Sequence, residues 1–389
     1  MTKKLRVFLD YPVQDHYNGQ TLPSILFNEL KKDIKFEVLL PNDSKAEDNL
    51  DVLIIFAAGN HYKFFDDIFA SLFSKELLKK LSIKFKKQII WLGYFFGLYK
   101  LGYYKNHLFR NFAYEKRIKK IINKNNNLKV IHRLDGMYKI ICKNYEVDRS
   151  VKKLNELSDL TIHQSKYSKI IWNKNVKTIF GEQKQLKSKN QIMILNGVNT
   201  NIFNTTGDKI DLKGKWKILH VSASSNPNKN LKAVLEMANI LKDNSEFQFY
   251  LIGHQIYDPI CGEDIKRFDN CHYLGPIKDR EEIAKYYRSC DMFIFPAKDD
   301  CSPNVVLEAM SSGLPVITID SGGNLELIHK EELKGGVVLN ENNPILAIKT
   351  IIDNYSAFKK DCLEIIKKYH DIKLIVETYK NEIIKLTKN

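Results

Sequence analysis

Short, almost continuous apolar runs recur along the chain, and they constrain its fold more than any other feature. Segments such as LRVFLD (5–10), DVLIIFA (51–57) and QIMILNGV (191–198) lack the strict alternation of half-buried strands. Continuous runs of this length are typical of strands that are buried on both faces. Amphipathic stretches lie between them and predict helices. This order of elements favours a parallel α/β domain.

The same pattern begins again after Asp208, where strand-like runs such as WKILHVSA and FQFYLIG alternate with helical stretches. A chain of 389 residues is longer than a single hydrophobic core usually accommodates, so two α/β domains are expected. We place them at residues 1–205 and 206–370. Residues 371–389 are predicted to include a helix that packs back on the first domain. Two such domains leave a cleft at the carboxyl ends of their strands.

The net charge of +15 is unevenly distributed. Between Lys63 and Lys129 there are 16 Lys or Arg residues against 4 Asp or Glu. A solvated face is the simplest explanation in so lysine-rich a chain, but a peripheral membrane contact or a polyanion contact stays open. The aromatic residues between Phe64 and Tyr104 also leave a homodimer contact open.

Cysteine usage and hydropathy set the expected compartment. The six cysteines are scattered without a CxxC pair, which favours free thiols in a reducing compartment. No apolar run has the length that a membrane span needs. The first apolar run ends at Asp10, so it is interpreted as a strand and not as a signal peptide. We therefore expect a cytoplasmic protein, with peripheral membrane contact left open.

Residues 291–328 carry the densest chemical information. A strand-like run ends at Pro296, and the loop after it contains Asp300. Ser302 is then a plausible N-cap with Pro303 at the first helical position, and Glu308 follows inside the helix. Two carboxylates thus flank a helix N-terminus, which binds anions. This combination suits a ligand with phosphates and hydroxyls, such as a sugar nucleotide.

Short motifs in a consistent order resemble those of the family 4 retaining glycosyltransferases. They are SDLT with Ser165, NGVN with Phe203, Asp300-x7-Glu308, Gly313-x-Pro315-Val316 and Gly322-Gly323-x-x-Glu326. The resemblance implies the GT-B architecture, in which two Rossmann-like domains enclose an interdomain active site.

The resemblance also implies roles for residues of the second domain. Lys229 and the backbone amides near Asn304 and Val305 would bind the diphosphate. Glu308 would bind the ribose hydroxyls, and Asp300 would contact the sugar. Further donor-binding candidates in this domain are Ser225, Gly253, Pro276, Ile277 and Ser302.

In the first domain, the candidates follow two predicted strands. Asp135 is the favoured catalytic residue beside the transferred sugar, together with Asp300 and Lys229. His132 and Arg133 are further candidates near the sugar, although His132 could equally be a packed strand residue. Gly19 would let the backbone approach the donor, with a plain turn as the alternative.

Two departures from the family pattern concern the donor. Asp300 stands where the family usually has Glu. The family's phosphate-binding arginine falls on Ala223 or Ser224, so a bidentate guanidinium is missing there. Hydroxyl groups of Ser222, Ser224 and Ser225, or nearby backbone amides, would replace it in part.

Taken together, the residues and the resemblance predict a retaining glycosyltransferase. The favoured reaction is transfer of mannose from GDP-mannose to a glycan or a lipid-linked acceptor. We expect no cofactor, no metal dependence and no nucleic-acid partner. The alternatives are a sugar-nucleotide epimerase of the same architecture and a basic polyanion-binding module.

Overall fold

A computed structural model describes most of the chain. It covers residues 4–10, 22–40, 48–56, 115–137, 145–174, 176–178, 181–183, 186, 188, 190–222, 227–253, 268–340 and 343–388. The apolar run KQIIWLG at residues 87–93 also predicts a strand, but it lies outside the described residues, as do the aromatic segment from Phe64 to Tyr104 and most of the basic segment. No helix within the described ranges is long and apolar enough to cross a membrane.

Six parallel strands form the first sheet, in the order β2-β1-β3-β4-β5-β8. The strands of this half are β1 Leu5–Asp10, β2 Phe36–Leu39, β3 Val52–Phe56, β4 Lys129–Leu134, β5 Leu160–His163, β6 Val176–Thr178, β7 Gly181–Gln183 and β8 Gln191–Met193. Strands β6 and β7 pair only with each other, in antiparallel register.

A second six-stranded parallel sheet has the order β11-β10-β9-β12-β13-β16. Its half contains β9 Trp216–Ser222, β10 Phe247–Gly253, β11 Cys271–Gly275, β12 Met292–Phe295, β13 Val316–Thr318, β14 His329–Lys330, β15 Leu333–Lys334 and β16 Gly336–Val338. When only the six strands of this sheet are counted along the chain, the order is the 3-2-1-4-5-6 of Rossmann folds. Its topological switch point lies between β9 and β12.

Helices cover both faces of each sheet. The α-helices with both bounds in the described ranges are α1 Leu22–Lys32, α2 Tyr145–Asn155, α3 Lys166–Trp172, α4 Leu231–Ile240, α5 Arg280–Ser289, α6 Asn304–Ser311, α7 Asn324–Ile328, α8 Pro344–Asp353, α9 Tyr355–Ile365 and α10 Ile372–Lys388. Residues 115–124 are helical as well. Successive residues of a strand therefore enter different cores: Ile218 packs in one cluster and Leu219 in another. Burial on both faces explains why the strands are continuously apolar.

The last helix, α10, completes the core of the first domain. Ile375, Val376 and Tyr379 belong to the same buried cluster as Val7 and Leu26. The chain enters this helix beside Val198, whose carbonyl accepts the backbone N–H of Ile372 at 3.1 Å. The predicted return of the C-terminal helix to the first domain is thus confirmed. The predicted boundary at residues 205 and 206 falls in the connection between β8 and β9.

Candidate functional site

A cleft of about 350 Å³ lies between the carboxyl ends of the two sheets. On the second domain, the loop after β9 contributes Lys229 and the loop after β12 contributes Asp300. These strands are neighbours at the switch point, so their loops diverge and leave a crevice. A backbone hydrogen bond of 2.7 Å from Lys298 N to Asn228 O joins the two loops. On the first domain, Arg133 and Asp135 face the same cleft.

Lys229 and Asp300 form an ion pair at the centre of this crevice. Lys229 Nζ lies 2.7 Å from Asp300 Oδ2 and 5.2 Å from the centre of the Phe295 ring. The other carboxylate oxygen, Oδ1, accepts the backbone N–H of Ser302 at 3.2 Å. A cation and a carboxylate thus stand side by side at the start of α6.

The start of α6 differs by one residue from the expectation. Helix α6 begins at Asn304, and Pro303 is its N-cap with an extended ψ of 116°. The assignment of Ser302 as N-cap was therefore wrong. The carbonyl of Ser302 instead accepts Asn196 Nδ2 from the first domain at 3.0 Å. Gly313 ends the helix as predicted, with a φ of +78° that favours glycine.

Glu308 lies deeper in the cleft and is almost fully buried, with 3% of its surface exposed. Its Oε2 accepts a hydrogen bond from Tyr287 Oη at 3.2 Å, and its Oε1 pairs with the guanidinium of Arg280. That guanidinium lies 4.7 Å from the centre of the Phe203 ring. Burial and the neighbouring Glu308 carboxylate hold the pKa of Tyr287 well above its usual value, so its hydroxyl remains a donor.

Arg280 was missed by the sequence reasoning, which looked for a guanidinium only after β9. It is the first residue of α5 and it lines the cleft. A signal was present, because only 8 of the 61 basic residues are Arg. In a chain that uses Lys almost everywhere, an Arg marks a place where a planar, bidentate cation is needed.

Arg133 and Asp135 form an ion pair on the first-domain wall. Burial alone would lower the pKa of Arg133, but the Asp135 carboxylate offsets this effect and the pKa is raised. Arg133 also donates to Asn196 Oδ1 at 2.5 Å, and Asn196 in turn contacts Asn304 Oδ1 at 3.0 Å. The backbone carbonyl of Asp135 accepts Trp172 Nε1 at 2.6 Å.

His132 does not face the cleft, because successive side chains of a strand point to opposite faces and Arg133 takes the cleft side. Its ring is fully buried, with Nδ1 at 3.3 Å from Asn155 Nδ2 in α2. Burial lowers the pKa of His132 to about 3, so the ring is neutral. This placement matches the alternative of a packed strand residue.

The remaining donor-site candidates differ in position. Ser302 and Asn304 line the cleft, whereas the described lining does not include Gly253, Val305, Pro276 or Ile277. The Val305 carbonyl accepts Tyr287 Oη at 3.3 Å, and Ile277 packs against the core. Gly19 and Ser225 lie outside the described residues, so their roles stay predictions. The same holds for Ala223 and Ser224, where the family has its phosphate-binding arginine.

The glycine pair of the last motif supports the Asp300 loop by close approach. A Cβ on Gly322 would lie 2.3 Å from the Asp300 carbonyl oxygen, and one on Gly323 would lie 2.1 Å from that of Cys301. The N–H of Gly323 donates to the Asp300 carbonyl at 2.7 Å. Only glycine leaves room for this contact.

The described acidic residues of the cleft do not form a metal-binding cluster. Within the described residues, no group of three or more His, Cys, Asp or Glu side chains is arranged to hold a metal ion. The acidic residues of the cleft pair with cations instead, as Asp300 does with Lys229 and Glu308 with Arg280.

Residues 215–356 match the family model described as glycosyl transferases group 1. A curated relative, the N,N'-diacetylbacillosaminyl-diphospho-undecaprenol alpha-1,3-N-acetylgalactosaminyltransferase of Campylobacter jejuni, is 27% identical over 152 residues. The alignment covers 36% of this chain and 39% of that protein, so the chain spans less than half of the relative's length.

Solved structures extend the similarity to the whole fold. The sucrose-phosphate synthase of Thermosynechococcus elongatus superposes with a TM-score of 0.65 at 15% identity, over 98% of this chain and 99% of that one. HepE of Anabaena, solved in complex with UDP, gives 0.57 at 14% identity, over 98% and 100%. The chain therefore has the two-domain GT-B fold of glycosyltransferases, and its second domain is similar to the glycosyl transferases group 1.

Proposed function

We propose that this protein is a glycosyltransferase that moves a sugar from a nucleotide-diphosphate donor to an acceptor hydroxyl. The observation that carries the proposal is the arrangement of Lys229, Asp300 and Glu308 around the start of α6, at the switch point of the second sheet. Cations and free helix amides suit a diphosphate, and a buried carboxylate suits the ribose hydroxyls.

Lys229 and Asp300 pair with each other in the cleft, so we propose that donor binding exchanges these partners. Lys229 Nζ, now 2.7 Å from Asp300, would turn to the diphosphate and stabilise the charge of the leaving group. Asp300 would then be released to accept hydrogen bonds from the sugar. Glu308 keeps Tyr287 and Arg280, and its remaining lone pairs would accept from the ribose.

We further propose a retaining, front-face substitution that needs no metal. In this mechanism the departing phosphate oxygen helps to remove the proton of the acceptor hydroxyl, and the protein chiefly orients groups and stabilises charge. Asp135, on the opposite wall, is proposed to orient the transferred sugar. Analysis of the anomeric configuration of the product by NMR tests retention, and activity after exhaustive chelation tests the metal independence.

The ribose is common to the candidate nucleotide sugars, so its recognition by Glu308 does not identify the donor. Donors that differ in base and in sugar have to be compared directly. GDP-mannose is the first candidate from the sequence, and UDP-sugars are added because HepE was solved with UDP. The acceptor is proposed to be a glycan or a lipid-linked sugar.

Calorimetric titration with UDP-, GDP- and dTDP-sugars tests the proposal. We expect one nucleotide class to bind much more tightly than the others, and its affinity to be lost in Glu308→Ala. The variant Glu281→Ala, changed on the exposed start of α5, is the matched control and should bind as the wild type does. If no nucleotide binds the wild-type protein, the proposed function is wrong.

A further inference from the structure

A contact between the two domains lies beside the cleft. Glu326 in α7 accepts the backbone N–H of Lys166 at 2.7 Å and that of Tyr167 at 2.6 Å. These are the first two residues of α3 in the first domain. The first N–H groups of a helix have no partner within it and carry partial positive charge. A carboxylate of the second domain therefore completes a helix of the first.

The side chain of Tyr167 makes a second link. Its hydroxyl donates to Asp299 Oδ1 at 2.9 Å. Burial and this hydrogen bond raise the pKa of Tyr167, so the hydroxyl keeps its proton at neutral pH. Asp299 has a left-handed φ of +57° and directly precedes Asp300. The first domain thus holds the backbone from which the cleft carboxylate projects.

Close packing accompanies these two links. Ser165 caps α3 by accepting the N–H of Ser168 at 3.0 Å. A Cβ on Gly323 would lie 3.5 Å from Ser165 Oγ, so the glycine turn of the second domain packs against this cap. Ser165 and Glu326 come from motifs far apart in the sequence, and the fold brings them to one interface.

We propose that Tyr167 and Glu326 are positioning residues that fasten the closed arrangement of the two domains and thereby set the Asp299–Asp300 loop for the donor. This inference rests on the proposed function for the nature of the ligand. Neither residue is among the described residues that line the cleft, so both act through the loop and not by touching the donor. By linkage, donor binding favours closure as much as closure favours donor binding.

Two conservative variants, Tyr167→Phe and Glu326→Gln, test the inference in the full-length protein. UDP and GDP are titrated by calorimetry, and the radius of gyration is measured by small-angle scattering with and without nucleotide. Each variant removes a hydrogen bond to an ionised group, so we expect about tenfold weaker nucleotide binding. The free variants should also have a larger radius that shrinks when nucleotide saturates them.

A matched control and a double-mutant cycle separate positioning from general destabilisation. Glu332→Gln, an exposed change in the turn between β14 and β15, should leave both the affinity and the radius as in the wild type. Tyr167→Phe combined with Asp299→Ala should bind nucleotide no more weakly than Asp299→Ala alone, because both changes delete the same hydrogen bond.

The result that overturns the inference is an unchanged affinity and an unchanged radius in both Tyr167→Phe and Glu326→Gln. Failure of the proposed function looks different, since the wild-type protein would then bind no nucleotide. In that case the scattering comparison still tests whether Tyr167 and Glu326 hold the two domains together. A larger radius of gyration in the variants supports this role, and radii equal to that of the wild type overturn it.

Discussion

At the scale of single residues, the acidic groups of the described cleft lining are held by partners. Lys229 neutralises the charge of Asp300 and Arg280 neutralises that of Glu308, which also accepts a hydrogen bond from the Tyr287 hydroxyl. Lys229, Asp300 and Glu308 could be named as candidates from the sequence because they stand in motifs that resemble those of a known family, and the fold brings all three to one cleft. The rarity of arginine in the chain was a signal for Arg280, but its pairing with Glu308 depends on how α5 lies across α6, and no local pattern encodes that packing.

Replacement of Lys229 by Ala should weaken the binding of nucleoside diphosphates about 10- to 100-fold, because a charge-assisted hydrogen bond to phosphate is lost. The binding of the corresponding nucleoside, which has no phosphate, should stay unchanged. Calorimetric titration with UDP against uridine, or GDP against guanosine, measures the difference. Equal losses for diphosphate and nucleoside would contradict a role of Lys229 at the phosphates.

Replacement of Glu308 by Gln should reduce both nucleotide affinity and stability. The amide preserves the shape, but it removes the carboxylate charge that pairs with the partly buried Arg280, which costs roughly 1–3 kcal/mol of unfolding free energy. Chemical denaturation of the variant and of Glu281→Gln as control measures this cost. An unchanged midpoint for Glu308→Gln would show that Arg280 finds another partner.

At the scale of elements, strand prediction succeeded because strands buried on both faces are continuously apolar. The runs LRVFLD, DVLIIFA and WKILHVSA reappear as β1, β3 and β9 within a residue or two. The orientation of individual strand residues was harder to assign. His132 and Arg133 are adjacent in sequence, and only the placement of β4 between β3 and β5 decides which of them faces the cleft.

Two variants, Gly323→Ala and Gly275→Ala, should distinguish a glycine that is needed because a Cβ atom would clash from one that is needed for its backbone conformation. Gly323→Ala places a methyl group 2.1 Å from the Cys301 carbonyl oxygen, so the Asp300 loop must shift. We expect a loss of roughly 2–4 kcal/mol in unfolding free energy and much weaker nucleotide binding. Thermal denaturation and calorimetry measure the two effects.

Gly275→Ala is the matched comparison for this prediction. Its φ of +74° is strained for alanine, but no atom lies within 4 Å of the added methyl group. The cost should therefore stay near about 1 kcal/mol, without loss of nucleotide binding. A greater effect at Gly275 than at Gly323 would contradict the close-packing account of the glycine pair.

At the scale of the whole molecule, the two-domain architecture and the returning helix could be predicted from the restart of the strand pattern and from the amphipathic last segment. The interface between the domains could not. Glu326 and Ser165 are 161 positions apart in the sequence, and Asn196 contacts Ser302 and Asn304 only after both sheets have formed. Such contacts depend on the relative placement of domains, which carries no periodic signal.

Buried neutral histidines should make the whole molecule sensitive to acid. Burial lowers the pKa of His163, His220 and His370 from 6.5 to about 4, and that of His132 to about 3. The unfolded chain therefore binds more protons than the folded one below about pH 6.5. Stability should be fully present above that pH and fall as the pH is lowered towards 4.

Urea denaturation across pH 4–7.5 measures this slope, and His370→Asn isolates one contribution. The His370 Nδ1 lies 2.8 Å from the Asn196 carbonyl oxygen, and an Asn amide can donate to the same oxygen without titrating. The variant should lose stability less steeply on acidification than the wild type. His329→Asn, changed at an exposed residue, should keep the wild-type slope, and an equal slope in His370→Asn would contradict the prediction.

The return of α10 to the first domain has a consequence for the order in which the protein forms. The hydrophobic cluster that contains Val7 and Leu26 is closed by Ile375, Val376 and Tyr379. During synthesis, α1 can pack on this face of the first sheet, but α10 cannot complete the cluster until the whole second domain has emerged from the ribosome. The first domain is synthesised first but is completed last. The second domain can therefore fold while the first domain still lacks the helix that closes its hydrophobic cluster.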